Sequence, residues 1–176
     1  MGKVIFYGAT SLDGYLATAD DNLDWLTHLS GIPADAGTDV LSHMTNAIMG
    51  RVTYDYVAQQ APDAPFNPAN PQMHNYVLTH QNRPNLPLTT FTQRDVVDLA
   101  QALRTQPGDT WIVGGQAILT PLLAANLVDT LYLQLAPLLL GQGKRLFGDL
   151  TNPAQFTLLS AHRLGPLAEL VYQRRN

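Results

Sequence analysis

The sequence predicts an α/β domain whose mixed, mostly parallel sheet is flanked by helices and becomes antiparallel in its C-terminal strands. Three observations carry that prediction. Thr110-Trp111-Ile112-Val113 is a β-branched and aromatic run that meets Gly114-Gly115 and passes at once into Gln116-Ala117-Ile118-Leu119, which has helical character. Ala47-Ile48-Met49-Gly50, followed by Arg51-Val52-Thr53-Tyr54, repeats this order of strand, glycine and helix. Residues 156–162 and 168–174 read as a closing hairpin joined through Leu164-Gly165-Pro166. Continuous apolar runs suit strands covered on both faces, as in parallel sheets, whereas a tight hairpin joins antiparallel strands.

Residues 3–10 form the first expected strand, because Val4, Ile5, Phe6 and Tyr7 are too continuously apolar to leave one face wet. Ser11-Leu12-Asp13-Gly14-Tyr15-Leu16-Ala17 follows, with Asp-Gly marking a turn in which Asp13 can bond its own backbone and Gly14 can take a positive φ. Ligands of open α/β sheets gather outside the carboxyl ends of the strands. Asp13 is therefore either a turn-stabilising aspartate or a residue beside a ligand. Residues 18–33 are polar and loop-like, and Trp25 within them either closes the edge of the core or flanks a heteroaromatic ring. Asp35 or Thr38 caps an expected helix whose apolar positions are Val40, Leu41 and Met44 and which stops near Asn46.

After the strand ending at Gly50, Arg51 and Thr53 offer donors to an anion, the arginine through a planar fork that suits phosphate. A surface carboxylate is the alternative partner for Arg51. Residues 60–74 carry Pro62, Pro65, Pro68 and Pro71 and read as a surface loop. Asn75-Tyr76-Val77-Leu78-Thr79 is a further strand, with Thr79 and His80 where a loop could touch a ligand. His74 and His80 lack metal-ligand spacing. A short strand is expected over residues 86–91 and a helix over 94–104, with Val97, Leu99, Ala100 and Leu103 at helical spacing. Ile118, Leu122 and Leu123 mark the buried stripe of the helix after Gly115, where Pro121 is tolerable only within the first turns. Residues 127–140 contain an alternating strand, and Gly141-Gln142-Gly143-Lys144-Arg145 is a turn.

The Gly-Gly junction frees the backbone and lets another molecule approach the main chain. The N–H groups of the next helical turn, with the helix dipole behind them, favour an anion there. A tight turn with no ligand would look the same in isolation.

With 176 residues, 45% of them hydrophobic and 14% charged, the chain suits a single domain over residues 1–176. A net charge of -4 and a pI near 5.6, with lysine and arginine scattered, argue against nucleic acid or an anionic membrane as partner and favour a small-molecule substrate. The absence of cysteine excludes disulfides, thiol nucleophiles and thiolate metal sites, and no metal is expected. No signal-like N-terminus or spanning run is present, so a cytoplasmic protein is expected.

Taken together, Ser11 to Ala17, Ile48-Met49-Gly50-Arg51-Val52-Thr53-Tyr54, Val77-Leu78-Thr79 and Val113-Gly114-Gly115-Gln116-Ala117-Ile118 resemble the dihydrofolate-reductase-like fold. The resemblance is closest to the branch related to the C-terminal reductase domain of riboflavin biosynthesis, and it continues through Leu127-Val128-Asp129-Thr130-Leu131 and Ala136-Pro137-Leu138-Leu139-Leu140-Gly141. It implies an NADPH-dependent oxidoreductase acting on CH-NH or C=O groups of a pyrimidine- or pterin-like ring, similar to 5-amino-6-(5-phosphoribosylamino)uracil reductase. By motif, Gly114, Gly115, Gln116, Ala117 and Ile118 would hold the diphosphate. Arg51 and Thr53 after Gly50 would meet the adenosine-side phosphates, and Leu78, Thr79 and His80 would border the adenosine. Ala9 and Leu16 would frame the nicotinamide, with Asp13 beside it.

Dihydrofolate reductases carry an acid at the start of the first helix, and Ile32-Pro33-Ala34-Asp35 resembles that site. Its distance to Gly50 is slightly shorter, and one residue fewer within a helix turns a side chain by about 100°. Asp13 and Asp35 are thus the candidate catalytic acids. Dihydrofolate reduction and a non-catalytic nucleotide-binding module are the alternatives. Leu131, Leu133 and Leu135, followed by Leu138, Leu139 and Leu140, exceed what a small sheet edge needs and suggest a homodimer.

Overall fold

β1 (Val4–Ser11) lies deep in the sheet, as its unbroken apolar run requires, with Val4, Phe6, Thr10 and Ser11 all nearly inaccessible. The computed structural model describes residues 1–175. In chain order the elements after β1 are β2 (Tyr15–Ala17), α1 (Asp24–Thr27), α2 (Thr38–Leu41), β3 (Met44–Gly50), α3 (Arg51–Gln60), β4 (His74–Leu78) and β5 (Thr89–Thr92). They continue with α4 (Val96–Arg104), β6 (Asp109–Gly114), α5 (Gln116–Ala124), β7 (Thr130–Ala136), β8 (Lys144–Arg145), β9 (Phe156–Leu164) and β10 (Leu167–Arg174).

Eight strands form one sheet in the order β5-β4-β3-β6-β1-β7-β10-β9. Pairing is parallel from β5 to β7 and antiparallel where β10 meets β7 and β9. The mixed sheet expected from the sequence is thus present, and the terminal hairpin supplies its antiparallel edge. Helices cover both faces. Val96, Leu99, Ala100 and Leu103 of α4 and Ile118, Leu119, Leu122 and Leu123 of α5 pack with Val4, Phe6, Ile48 and Ile112 on one face. On the other, Met44, Ala47, Met49 and Val77 meet Val40, Leu41, Tyr54 and Phe66. Asp95 caps α4 through bonds from Val97 and Asp98 N–H groups, which fixes the start of that helix where the apolar spacing placed it.

Two local expectations need correction. The helix expected to run to Asn46 stops at Leu41, and Met44 opens β3 as a fully buried residue. Side chains of the proline-rich loop account for this: Asn67 Nδ2 donates to Leu41 O at 2.8 Å and Asn70 Nδ2 to Met44 O at 2.9 Å, taking carbonyls that a longer helix would have used. The turn read at Gly141 to Arg145 contains β8, which pairs antiparallel with β2. The leucines that suggested a dimer divide. Leu131 is buried and Leu133 packs against the same core, whereas Leu139 is 70% exposed. Edge strand β9 exposes Leu158 and Leu159 as well.

Candidate functional site

Three neighbouring parallel strands, β4, β3 and β6, end side by side, and the chain leaving each of them borders one cleft of about 1190 Å³. That is above the usual range for one drug-sized ligand. The strand-glycine-helix repeats produce this arrangement, since both α3 and α5 start at the cleft immediately after a glycine N-cap.

Gly114 has φ 127°, a conformation closed to residues with a Cβ, and a Cβ built there would meet no atom within 4 Å. The glycine therefore answers to the backbone angle, and the space above it is open. Its peptide bond to Gly115 is cis. In the first turn of α5, Ile118 N and Leu119 N both bond Gly115 O at 3.0 Å, leaving the amides of Gln116 and Ala117 ahead of the helical ladder and bordering the cleft. Gly50 differs: its φ of -78° is ordinary, so its missing side chain serves only to keep space free.

Of the residues expected to hold a cofactor, Leu16, Gly50, Arg51, Thr53, Leu78, Thr79, His80, Gly114, Gly115, Gln116, Ala117 and Ile118 all line this cleft. Ala9 does not; it is buried in β1 opposite Gln134 of β7. Arg51 combines its two expected readings. It borders the cleft, and its Nη1 also donates to Asp55 Oδ2 at 2.9 Å, while Arg83 Nη1 holds the other oxygen of Asp55 at 2.7 Å. Burial pushes the Asp55 carboxyl up, but the Arg83 and Arg51 guanidiniums outweigh it and the net shift is downward. Thr79 Oγ1 accepts from Gln81 N at 3.0 Å, a local turn that shapes the end of β4.

The candidate acids take other positions. Asp13 accepts from Ser11 Oγ at 2.6 Å, from Leu140 N at 3.0 Å and from Gly141 N at 2.7 Å. The Ser11 bond, followed by burial acting the opposite way and then the two amides, leaves its carboxyl lowered to about 2. An acid of that strength stays ionised at neutral pH, so Asp13 clasps the loop after β7 and holds no proton to give. Asp35 is exposed in the turn before α2, where its carbonyl accepts from Thr38 N at 3.0 Å, and it is not among the residues bordering the cleft. Trp25 is partly buried in α1, and its Nε1 is buried with no hydrogen-bond partner among the described residues.

The cleft also recruits cations that sequence reasoning passed over. Arg94, Lys144 and Arg145 line it together with Arg51, against a single carboxylate, Asp21. The signal was available in Gly141-Gln142-Gly143-Lys144-Arg145, where two glycines precede adjacent cations. Among the described residues, no group of three or more His, Asp or Glu side chains could hold a metal ion, and no helix is long and apolar enough to cross a membrane.

The RibD C-terminal domain family matches over residues 2–168. The chain belongs to that family. A RibD C-terminal domain built as a dihydrofolate-reductase-like sheet explains why the ordered motifs converge on one cleft. The uncharacterized Bacillus subtilis (strain 168) protein YwjB is 28% identical over 178 residues, covering 98% of each chain. The crystal structure of a Shewanella sp. PV-4 protein described with riboflavin biosynthesis superposes with a TM-score of 0.81 at 28% identity, covering 100% of both chains. Dihydrofolate reductase from Enterococcus faecalis, complexed with NADP(H), shares the fold at a TM-score of 0.63 and 17% identity, covering 99% of this chain and 98% of that one.

Proposed function

We propose that this RibD C-terminal domain is an NADPH-dependent reductase of a small heterocycle with a pyrimidine- or pterin-like ring. The observation that carries the reading is the charge of the cleft: four cations and one carboxylate line it together with the open Gly114 turn, in a chain whose net charge is -4. NADPH carries roughly four negative charges on its diphosphate and 2′-phosphate. A wall of this sign favours such a ligand, and the backbone at Gly114 leaves room for phosphate oxygens to reach the α5 amides.

In this reading Gly114, Gly115, Gln116, Ala117 and Ile118 hold the diphosphate, while Leu78, Thr79 and His80 border the adenosine and Leu16 frames the nicotinamide from β2. When bound, the cofactor supplies a hydride to the substrate ring. The chain's contribution is orientation and exclusion of water, the usual division of labour in a cofactor enzyme. Titration with NADPH and NADH, followed by fluorescence, tests the reading; no binding of either at millimolar concentration would sink it. A panel of pyrimidines, including 5-amino-6-(5-phosphoribosylamino)uracil, and of pterins then identifies the substrate class. Dihydrofolate reduction ranks below a pyrimidine reaction because Asp35 stands in an exposed turn away from the cleft. A dihydrofolate-dependent loss of NADPH absorbance would reverse that order.

A second reading, a nucleotide-binding module without catalysis, is favoured by one observation. The carboxyl groups of Asp13, Asp20 and Asp55 are all pushed down by their hydrogen bonds and neighbouring cations, so none of these is a proton donor at neutral pH. Turnover of any compound in the panel rules this out.

Arg51 is the candidate reader of the 2′-phosphate. Its pair with Asp55 is about one-third exposed on the arginine side, so displacing it costs little, whereas a charge-assisted hydrogen bond to phosphate contributes about 1.5–3 kcal/mol. Arg51→Ala should weaken NADPH binding by roughly ten- to a hundredfold and leave NADH nearly unchanged. Equal weakening of both would instead give Arg51 to the shared diphosphate.

A homodimer is our proposal for the assembly, with Leu139 at 70% exposure and the open face of β9 as its apolar surface. Light scattering at micromolar concentration should give twice the monomer mass; a monomer disposes of the dimer.

A further inference from the structure

Lys144 and Arg145 sit on a strap, residues 137–148, that is tied down on both sides of them. Leu12 N donates to Leu138 O at 2.8 Å, and the Asp13 carboxylate takes the Leu140 and Gly141 amides. Beyond the two cations, Leu146 N bonds Gly14 O at 3.0 Å with the Leu146 side chain fully buried, and Gly148 N bonds Thr120 Oγ1 at 3.0 Å. Gly143 has φ 148°, and a Cβ there would collide with the Ala17 carbonyl, so the strap crosses β2 in contact. The strap is a fixed part of the cleft wall.

Both cations are held by weak partners that line the same cleft. Lys144 Nζ pairs with Asp21, and the Arg145 guanidinium lies 5.0 Å from the ring centroid of Tyr15. The lysine and aspartate side chains are 48% and 39% exposed, the range in which an ion pair contributes little. Tyr15 is itself buried, but the Arg145 side chain on it is exposed to solvent, and a cation held on one side of a ring in this way is similarly modest. A phosphate oxygen is a stronger partner than either.

The geometry points to Lys144 and Arg145 as a second grip on the diphosphate of the bound cofactor, supplied by the strap. This rests on the NADPH reading given above. The diphosphate is favoured over a substrate anion because the strap runs directly onto the start of α5. A Cβ at Gly148 would lie 2.7 Å from Gln116 Nε2 and 2.8 Å from Thr120 Oγ1, and at most about 10 Å of chain separates Arg145 from that contact. Asp21 is the competitor: it occupies Lys144 in the free protein and repels the incoming phosphates.

The test is fluorescence titration of the full chain and of Lys144→Gln, Arg145→Gln and Asp21→Asn with NADPH and NADH, with 2′-AMP as a competing ligand that lacks the diphosphate. Asn at position 21 tolerates the left-handed φ of 65° found there. Lys144→Gln and Arg145→Gln should each weaken NADPH and NADH alike, by about tenfold, with 2′-AMP unchanged, and Asp21→Asn should tighten both cofactors. Three results overturn the inference while the wild type still binds NADPH. The first is unaltered cofactor affinity in both cation variants. The second is an Asp21→Asn variant weakened as much as Lys144→Gln, which makes the ion pair a shaper of the loop. The third is unchanged cofactor affinity with a raised substrate KM, which gives the cations to an anionic substrate. Failure of the wild type to bind either cofactor removes the NADPH reading itself, and this inference with it.

Discussion

Gly114→Val is expected to lower NADPH and NADH affinity by more than a hundredfold, the largest functional effect of any single change in the cleft. Two causes act together. A β-branched residue at φ 127° is a steric outlier, so the turn must shift to relieve it, at a cost of about 1–3 kcal/mol in stability. Any shift also moves the Gln116 and Ala117 amides, which must meet a phosphate within hydrogen-bonding distance. The new side chain further occupies the open space where oxygens would approach. Titration below the unfolding temperature separates binding from stability, and a variant that keeps its affinity within threefold would mean that the cofactor does not approach this turn.

Phe6→Ala is expected to give the largest loss of stability. Phe6 is inaccessible to solvent in β1, which has β6 on one side and β7 on the other, and it belongs to the cluster that anchors α4 and α5. Its ring also underlies Gly8, where an added Cβ would come within 2.9 Å of Cζ, so truncation leaves a void that the glycine cannot fill. Removing a buried phenyl group costs about 3–5 kcal/mol, and at roughly 2–4 °C per kcal/mol for a domain of this size the melting temperature should fall by roughly 6–20 °C. A fall of only a degree or two would show that the core closes around the missing ring.

Much of the architecture was legible because it rests on local signals. The two strand-glycine-helix passages, at Gly50 and at Gly114-Gly115, announced both helix starts that border the cleft, and the hairpin around Gly165 announced the antiparallel edge. What escaped depended on contacts distant in sequence. The helix read through Met44 has an apolar spacing that fits a helix, and it is ended by Asn67 and Asn70 from a loop some 26 residues away in each bond. Asp13 announced a turn, but its clasp on Leu140 and Gly141 spans 127 and 128 residues and has no local signature. For the same reason Lys144 and Arg145 read as part of a surface turn: the pairing of β8 with β2 and the bonds of the strap to Leu12, Asp13, Gly14 and Thr120, all distant in sequence, carry them to the cleft.

The helices that begin at the cleft are anchored unequally. α5 sinks Ile118, Leu119, Leu122 and Leu123 into the core, while α3 has no buried residue at all. α3 is tethered by Tyr54, stacked on Phe66 and edge-on to Phe91, and by the Asp55 bridge to Arg83. Elements with so little buried apolar contact open by local fluctuation, long before the whole domain unfolds. The two ends of the cleft therefore differ in rigidity as well as in chemistry. A ligand that engages Arg51 and Thr53 spends part of its interaction quieting α3, and its measured affinity is lower by that amount. Hydrogen exchange should therefore be fast at the backbone amides of α3 in the free protein and slow markedly on binding, while the amides of α5, protected by the core from the start, should change little.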